Sequence, residues 1–422
     1  MTSIFKKLFK NWYVFSICSK LMLVLIGLLF SALSSRYFGS EIKGEVAYIS
    51  TVVSTVAIVT SFGLHQAYPF FRKTYGVDQV KKFYFNTVLA LHALYLFLCI
   101  LLSGFVNSFE IKIIILFIPL SSFHRISTYV ATIEKPNVFQ LFELIIEIIE
   151  VIVLAILLFS SSCNLYIALA IIYTKDFVVA VISCLIIHES INVENVNISL
   201  LFKLLKYGFM PMISLMLSTL NYQIDIAMMK HLDCISTSEI GVYSIGVALA
   251  NKILLIPEAI KTILLARISR DKGPSEVAMV TRTCLPITLF ISLGMLAFGK
   301  PFINFVYGGE YSYAYYVTIA TLIGINAIMF YKFIATYYNA NHLQGRSVLL
   351  LAISVILNVV LNLILLPRMN IVGGAIASTI SYSVCALLFI VSFSVHSKIS
   401  IRNIVILRRE DLSTLFKIFK KN

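Results

Sequence analysis

The chain has 422 residues, of which 59% are hydrophobic and 13% charged, and it carries a formal net charge of +14 at pH 7. A charged share near half of the usual ~25% excludes a soluble enzyme, a disordered chain and a nucleic-acid binder. About 249 hydrophobic residues suffice for about twelve helices of roughly 20 residues, the length that crosses a bilayer.

At the N-terminus, Lys6, Lys7 and Lys10 precede an apolar run from Leu21 to Phe30 and then Ser31-Ala32-Leu33-Ser34-Ser35. That order resembles a cleavable leader. The run extends to a full span and many more follow, so it reads as the first span. Continuous apolar segments then cover roughly 12–35, 45–67, 83–106, 111–133, 138–160, 164–187, 206–228, 240–265, 283–305, 313–339, 347–366 and 371–396. Without water in the hydrocarbon, backbone groups must be satisfied within each segment, which predicts helices. The runs lack the period-two alternation of a membrane barrel.

Basic residues set the expected orientation. With a cytoplasmic N-terminus, 23 of the 34 Lys and Arg fall in cytoplasmic segments. Six fall outside (Arg36, Lys43, Lys112, Lys230, Lys300 and Arg368). The positive-inside rule therefore places both termini in the cytoplasm. The longest cytoplasmic loop, about 188–205, divides six segments from six. The expected organisation is an N-terminal six-helix lobe at 1–195, a C-terminal six-helix lobe at 196–400 and a basic cytoplasmic tail at 401–422. A faint echo between Glu41-Ile42-Lys43-Gly44-Glu45-Val46-Ala47-Tyr48 and Glu239-Ile240-Gly241-Val242-Tyr243 fits two pseudo-symmetric lobes around a central cavity. The fold class is an all-α polytopic membrane protein with about twelve transmembrane helices.

No phosphate-binding loop, HExxH or GxSxG motif occurs, and the outer loops are too short for a membrane glycosyltransferase. The seven cysteines are scattered without a CxxC pair, so neither a disulfide framework nor a zinc site is expected. No catalytic residue, metal or cofactor is implied. Chemistry resides in the charges within spans, which are costly there and face a cavity or a partner. Segment five carries Glu143, Glu147 and Glu150 on one face. Segment six carries Lys175 and Asp176, and segment one carries Lys20. Glu150 matches Lys175 in depth, and Glu147 matches Lys20. Segment seven holds Asp225, segment eight Lys252, Glu258 and Lys261, and segment ten Lys332. Lys252 and Lys332 have no acidic partner on their own helix faces, which suits an anionic substrate such as a phosphate. Lys261 is close enough to the cytoplasmic end to snorkel. His65 and His92 read as packing residues. Tyr311, Tyr313, Tyr315 and Tyr316, with Tyr331, Tyr337 and Tyr338, read as aromatic belts.

Several stretches resemble the Wzx-type polysaccharide flippases of the MATE-like multidrug/oligosaccharidyl-lipid/polysaccharide exporter superfamily. They are Arg36-Tyr37-Phe38-Gly39 through Gly44, Tyr48 and Ser61-Phe62-Gly63-Leu64; Asn221 with Asp225, Gly241-Val242-Tyr243-Ser244 and Ile256-Pro257-Glu258-Ala259-Ile260; Tyr307-Gly308-Gly309-Glu310-Tyr311; and Asn358, Leu361-Asn362, Pro367 and Gly373-Gly374-Ala375. Their order on the chain makes the combination more specific than any one of them. The proline that the family often has after helix eight is missing at Leu265-Ala266-Arg267-Ile268-Ser269. The two extra helices and arginine-rich cavity usual in lipid II flippases are not evident.

The resemblance implies a bacterial inner-membrane flippase. It would carry undecaprenyl-diphosphate-linked O-antigen repeat units to the periplasmic leaflet by alternating access coupled to an ion gradient. Lys20, Lys175, Lys252 and Lys332, with Arg36, are then the substrate-cavity candidates. Glu147, Glu150, Asp176, Asp225 and Glu258 are the ion-coupling or charge-balancing candidates. Gly39, Gly44, Gly63, Asn221, Pro257, Gly308, Asn362, Pro367, Gly373 and Gly374 are the structural motif positions. Implied partners are the lipid-linked oligosaccharide, membrane lipid, an O-antigen polymerase and a chain-length regulator. The alternatives are a MATE-type drug/cation antiporter, which needs an acidic cavity, and a membrane O-antigen polymerase or ligase.

Overall fold

The computed structural model describes residues 12–159, 163–187, 198–268, 273–408 and 410–411. Lys6, Lys7 and Lys10, most of the segment 188–205, and tail residues 412–422 lie outside them. All regular secondary structure among the described residues is helical, with no strand. Contacts divide the chain into two compact units, Met1–Met216 and Leu217–Asn422. The boundary therefore falls inside a helix, whereas the sequence division at 195/196 follows the loop.

In the first unit, α1 is Trp12–Thr60, α2 Leu64–Tyr75, α3 Val77–Phe83 and α4 Leu89–Gly104, with a π-helical turn at Tyr84–Val88 before α4. Then come α5 Phe109–Glu134, α6 Pro136–Leu157, α7 Leu165–Ile187 and α8 Ile198–Met229, which crosses the boundary. In the second unit, α9 is Thr237–Asn251, α10 Leu255–Ile268, α11 Pro274–Val306, α12 Ala314–Ala340, α13 Gln344–Ser397 and α14 Ile401–Val405. In the first unit α1 packs on α5 and α6, and α5 on α7. In the second α12 is the central helix, covered by α9, α10, α11 and α13. Phe333, Tyr338, Tyr382, Phe389 and Phe393 fill its core without solvent contact of consequence.

Nine described helical stretches are long and apolar enough to cross a membrane, by length and composition. Their outward faces are apolar, for example Leu94, Phe97 and Leu101 on α4 and Phe290, Leu293 and Phe298 on α11. Such surface suits hydrocarbon rather than water. The chain therefore has a multi-pass membrane protein fold. Two of the nine stretches are much longer than one span, Ser19–Tyr75 and Gln344–Ser397. Each contains a break. Gly39, at φ 73° and ψ 175°, interrupts α1, and Asn370, at φ 54° and ψ −147°, interrupts α13. Gly39 needs no Cβ to reach that conformation. Asn370 is held in place by its own side chain: its Oδ1 accepts from the Ile371 N–H at 2.8 Å, and its Nδ2 donates to Glu239 Oε1.

Three sequence expectations change here. Residues 36–44, read as a loop, are helical on both sides of Gly39, so Lys43 and Gly44 sit on α1. Segment 240–265 is not one continuous helix. A 3-10 turn at Lys252–Leu254 separates α9 from α10. The cause is Pro257, which lacks an N–H and whose ring would press on the carbonyl four residues back, Ile253. The segment after 400 is not wholly a free tail. Ile404 is buried, and Arg282 on α11 grips Asp411 through two hydrogen bonds of 2.6 Å while donating to the Asn403 carbonyl at 2.8 Å.

The tightest backbone approach in the first unit joins Gly63, before α2, to Gly208 on α8. Gly63 has φ +65°, and a Cβ there would stand 2.2 Å from the Gly208 carbonyl oxygen. Gly63→Ala combines left-handed strain with a backbone clash, for an expected loss of about 2–4 kcal/mol. Thermal unfolding in detergent should show a lowered Tm, and Gly294→Ala, which meets nothing within 4 Å, should not lower it. A second test concerns the C-terminal segment. Hydrogen bonding from Arg282 holds the Asp411 carboxyl below its usual pKa. Its stabilising contribution is therefore complete above the ordinary carboxylate value of about 4 and is lost as pH falls through the folded-state pKa. Asp411→Asn should remove the grip at neutral pH, and trypsin should then cut at Arg402 or Arg408 several-fold faster.

Candidate functional site

The charges of the first unit gather on α1, α5, α6 and α7. Glu150 on α6 is buried, and its Oε2 accepts from Lys175 Nζ on α7 at 2.9 Å. Lys175 also lies 3.9 Å from Glu147 Oε1 and 5.9 Å above the Phe30 ring on α1. One cation is thus shared by two carboxylates one helical turn apart and rests on an aromatic face. Glu147 Oε2 approaches Gly27 on α1, 4.0 Å from where a Cβ would stand. Asp176 points elsewhere: the His124 imidazole on α5 lies 4.0 Å from its carboxylate and 3.0 Å from its backbone carbonyl. Arg125 is within electrostatic reach of Asp176 as well. Lys20 is exposed on α1, and its charge acts on Glu143.

Two members of this group escaped the sequence reading. Lys43, counted there as an outer loop residue, lies on α1 and donates to Ser34 Oγ at 2.9 Å across the Gly39 break. It lies within electrostatic reach of the Glu150 carboxylate. His124 sits next to Arg125 on α5. Both are mid-to-late residues of α5. An HR pair inside an apolar helix was the available signal. His92 is a packing residue, bonded to the Val88 carbonyl at 2.9 Å and Ser122 Oγ at 3.1 Å.

In the second unit two polar groups are separate. The first is a buried ladder. Asp225 on α8 accepts hydrogen bonds from the Tyr243 hydroxyl, from Ser378 Oγ at 3.0 Å and from the Ile226 N–H at 3.2 Å. Asn221, one turn earlier, accepts at its carbonyl from Asn358 Nδ2 at 3.2 Å and at its amide oxygen from Ser354 at 3.3 Å and Ser381 at 3.4 Å. Asn362 bonds back to the Asn358 carbonyl at 3.0 Å. The ladder ties α8 to α9 and to both halves of α13. Asp225 has no cation among these partners, while the amide oxygen of Asn362 is buried without one. Carboxylate and amide oxygens of this kind could hold a proton or a hard cation. Gly374 lies beside this ladder, near Asn362 and Met229, and Gly373 packs on the Leu365 backbone.

The second group is the lysines. Lys332 on α12 pairs with Glu258 Oε1 on α10 and stands 5.3 Å above the Tyr222 ring. Lys261, one turn along α10, reaches the other Glu258 oxygen at 3.4 Å. This corrects the expectation of an unpaired Lys332: its partner is on a neighbouring helix, 74 residues away in sequence. It also brings Lys261 into the group rather than leaving it to snorkel. Lys252 is exposed on the 3-10 turn. Arg36 is exposed on α1, and Pro367 is exposed on α13 three residues before the Asn370 break. Pro257 is buried in the first turn of α10, Gly44 is buried on α1, and Gly308, at φ 101°, turns the chain out of α11. Tyr311, Tyr331 and Tyr338 are buried in the second unit and are not belt residues. Tyr313 and Tyr316 are exposed. Among the described residues no three His, Cys, Asp or Glu converge as metal ligands.

The fold is that of the MurJ and MATE transporters. The structure matches lipid II flippase MurJ in an inward closed conformation with a TM-score of 0.67 at 19% identity, covering 97% of this chain and 93% of that one. It matches an inward-facing multidrug resistance MATE family transporter of the MOP superfamily with a TM-score of 0.67 at 11% identity, covering 89% and 94%. No protein-family model matches the chain. In sequence it is 25% identical over 158 residues to the probable low-salt glycan biosynthesis flippase Agl15 of Haloferax volcanii. That stretch is 36% of this chain and spans only 33% of the relative's length. All three are flippases or transporters, and none is an enzyme by its description.

The Glu150–Lys175 pair allows a direct test. Glu150 is 5% exposed at its side chain and Lys175 28%. Lys175→Met strands a buried carboxylate and should cost about 3 kcal/mol. The double variant Lys175→Met/Glu150→Gln should recover most of that, as a double-mutant cycle of unfolding free energies would show.

Proposed function

We propose that the protein is a Wzx-type flippase moving undecaprenyl-diphosphate-linked O-antigen repeat units from the cytoplasmic to the periplasmic leaflet of a bacterial inner membrane. The observation that carries this reading is the charge surplus of the second unit. Lys332 and Lys261 share one carboxylate, Glu258, and Lys252 adds a third cation. A cation transporter needs the opposite balance. In the first unit the carboxylates already face Lys175, His124 and Arg125, which leaves less acidic capacity for a cationic drug. The fold is shared equally with a lipid II flippase and a MATE transporter, and the partial sequence similarity to a glycan flippase supports the same choice over the MATE drug antiporter.

In this reading the diphosphate is attracted by Lys252 and Lys332, with Lys20, Lys175 and Arg36 serving the acidic or phosphorylated parts of the cargo on its way. Asp225 takes the coupling ion, because a buried carboxylate with only neutral partners gains most from a bound proton or metal cation. Transport proceeds by alternating access. The two kinked helices would each cross the membrane twice, and the glutamate-bearing α6 would cross once. With the other seven candidate spans this would make twelve crossings, an even number that keeps both termini on one side, the cytoplasmic side by the positive-inside rule. A polymerase and a chain-length regulator act on the delivered repeat units.

Lys252→Ala and Lys332→Ala should each abolish surface O-antigen without loss of protein, as read by polysaccharide gels and immunoblots. A deletion strain should lose surface repeats and accumulate lipid-linked units inside. Display of a single repeat on lipid A core would instead indicate a polymerase. Normal display in both point mutants would overturn the assignment of these lysines.

A further inference from the structure

We infer that Glu258 is a built-in surrogate for a phosphoryl group. Its carboxylate occupies a two-lysine anion site, and a diphosphate enters by displacing it. This inference rests on the reading that Lys332 belongs to the substrate site, and it adds Lys261 and Glu258 to that site with a defined role.

The geometry is that of a bound anion. One carboxylate oxygen faces Lys332 Nζ and the other faces Lys261 Nζ at 3.4 Å, as two oxygens of a phosphate would. The two lysines come from different helices, α12 and α10, so the carboxylate bridges them. The far side of Lys332 is closed by the Tyr222 ring, 5.3 Å from its ammonium. The Lys332 side chain is only 13% exposed, whereas those of Glu258 and Lys261 are each 41% exposed. An incoming anion therefore reaches Lys332 through the place that Glu258 holds. The trio carries one net positive charge, so it attracts an anion even while Glu258 is seated. Among the described residues the Glu258 carboxylate hydrogen-bonds only these two lysines, and its half-exposed side chain can rotate outward. Once displaced, it leaves two cations that lack a partner and are partly removed from water, which favours a ligand carrying more than one negative charge.

Such an arrangement selects by strength of charge. The tethered carboxylate competes at high effective concentration, so a singly charged headgroup or a simple inorganic anion gains little, while a diphosphate gains enough to displace it. Apparent affinity falls by the fraction of molecules in which the site is open.

The test uses the full-length protein in phosphatidylcholine nanodiscs with inorganic diphosphate as the probe, followed by calorimetry and thermal unfolding. Glu258→Gln should bind diphosphate about tenfold more tightly than wild type, the change expected if about a tenth of wild-type molecules have the site open. It should also acquire measurable orthophosphate binding. Adding Lys332→Met should erase that gain. Lys261→Met, which leaves the Glu258–Lys332 pair in place, should weaken diphosphate binding and serves as the second variant should Glu258→Gln fold poorly. Unchanged or weaker binding in Glu258→Gln, or a gain that survives Lys332→Met, would overturn the inference. So would equal competition by phosphatidylglycerol added to the discs, which would make the site one for lipid headgroups. A deletion strain with normal surface glycan would overturn the flippase reading and leave the diphosphate result standing, so the two failures are distinguishable.

Discussion

One constraint shapes this chain: in hydrocarbon an unpartnered polar group is costly, so polar groups are met within the protein. For the backbone the answer is uninterrupted helix. For several side chains it is a partner on another helix, as for Lys175 with Glu150 and Lys332 with Glu258, while Lys261 meets Glu258 along the same helix. The two breaks in otherwise continuous helix obey the same rule. Gly39 reaches its conformation because it has no Cβ, and Asn370 reaches it because its amide bonds both the following N–H and a distant carboxylate.

The two units meet this constraint in different ways. In the first, carboxylates from α6 and α7 are met by cations and an imidazole from α5 and α7. In the second, the buried aspartate relies on hydroxyls and a backbone N–H, and the cations outnumber the carboxylate they share. A neutral-partnered acid and a surplus of cations on separate parts of one helical unit allow a positive ion and a negative cargo to be handled without direct competition. This separation supports the proposed anion-carrying role on a fold shared with multidrug resistance transporters.

Much of the fold was legible in the sequence because span-length apolar runs leave little choice of secondary structure. Glu150 and Lys175 were matched from depth alone, since adjacent helices joined by a short loop keep equal depths together. Depth says nothing about helix rotation, and that is where the reading ran out. Lys332 and Glu258 belong to helices distant in sequence, so their pairing depended on which face each helix turns to the other. Lys43 was lost for a different reason. The polar stretch around Gly39 looks like a loop, yet one residue of special geometry is enough to redirect the chain, and the helix resumes at once. The break before α10 was readable from Pro257, but an apolar run masks a proline whose effect is felt four residues upstream.

Glu239 shows how a small motif extends its influence. One of its oxygens completes the cap of α9 by accepting from the Ser236 N–H and hydroxyl, and the other holds Asn370 at the bend of α13. The start of one helix and the middle of another are therefore set by a single carboxylate. Neither oxygen can be given up without freeing a different element, so residues 3 and 131 positions away are tied to the same choice of side chain. Natural variation at this position is expected to appear as a correlated triplet of Ser236, Glu239 and Asn370, rather than as drift at one site.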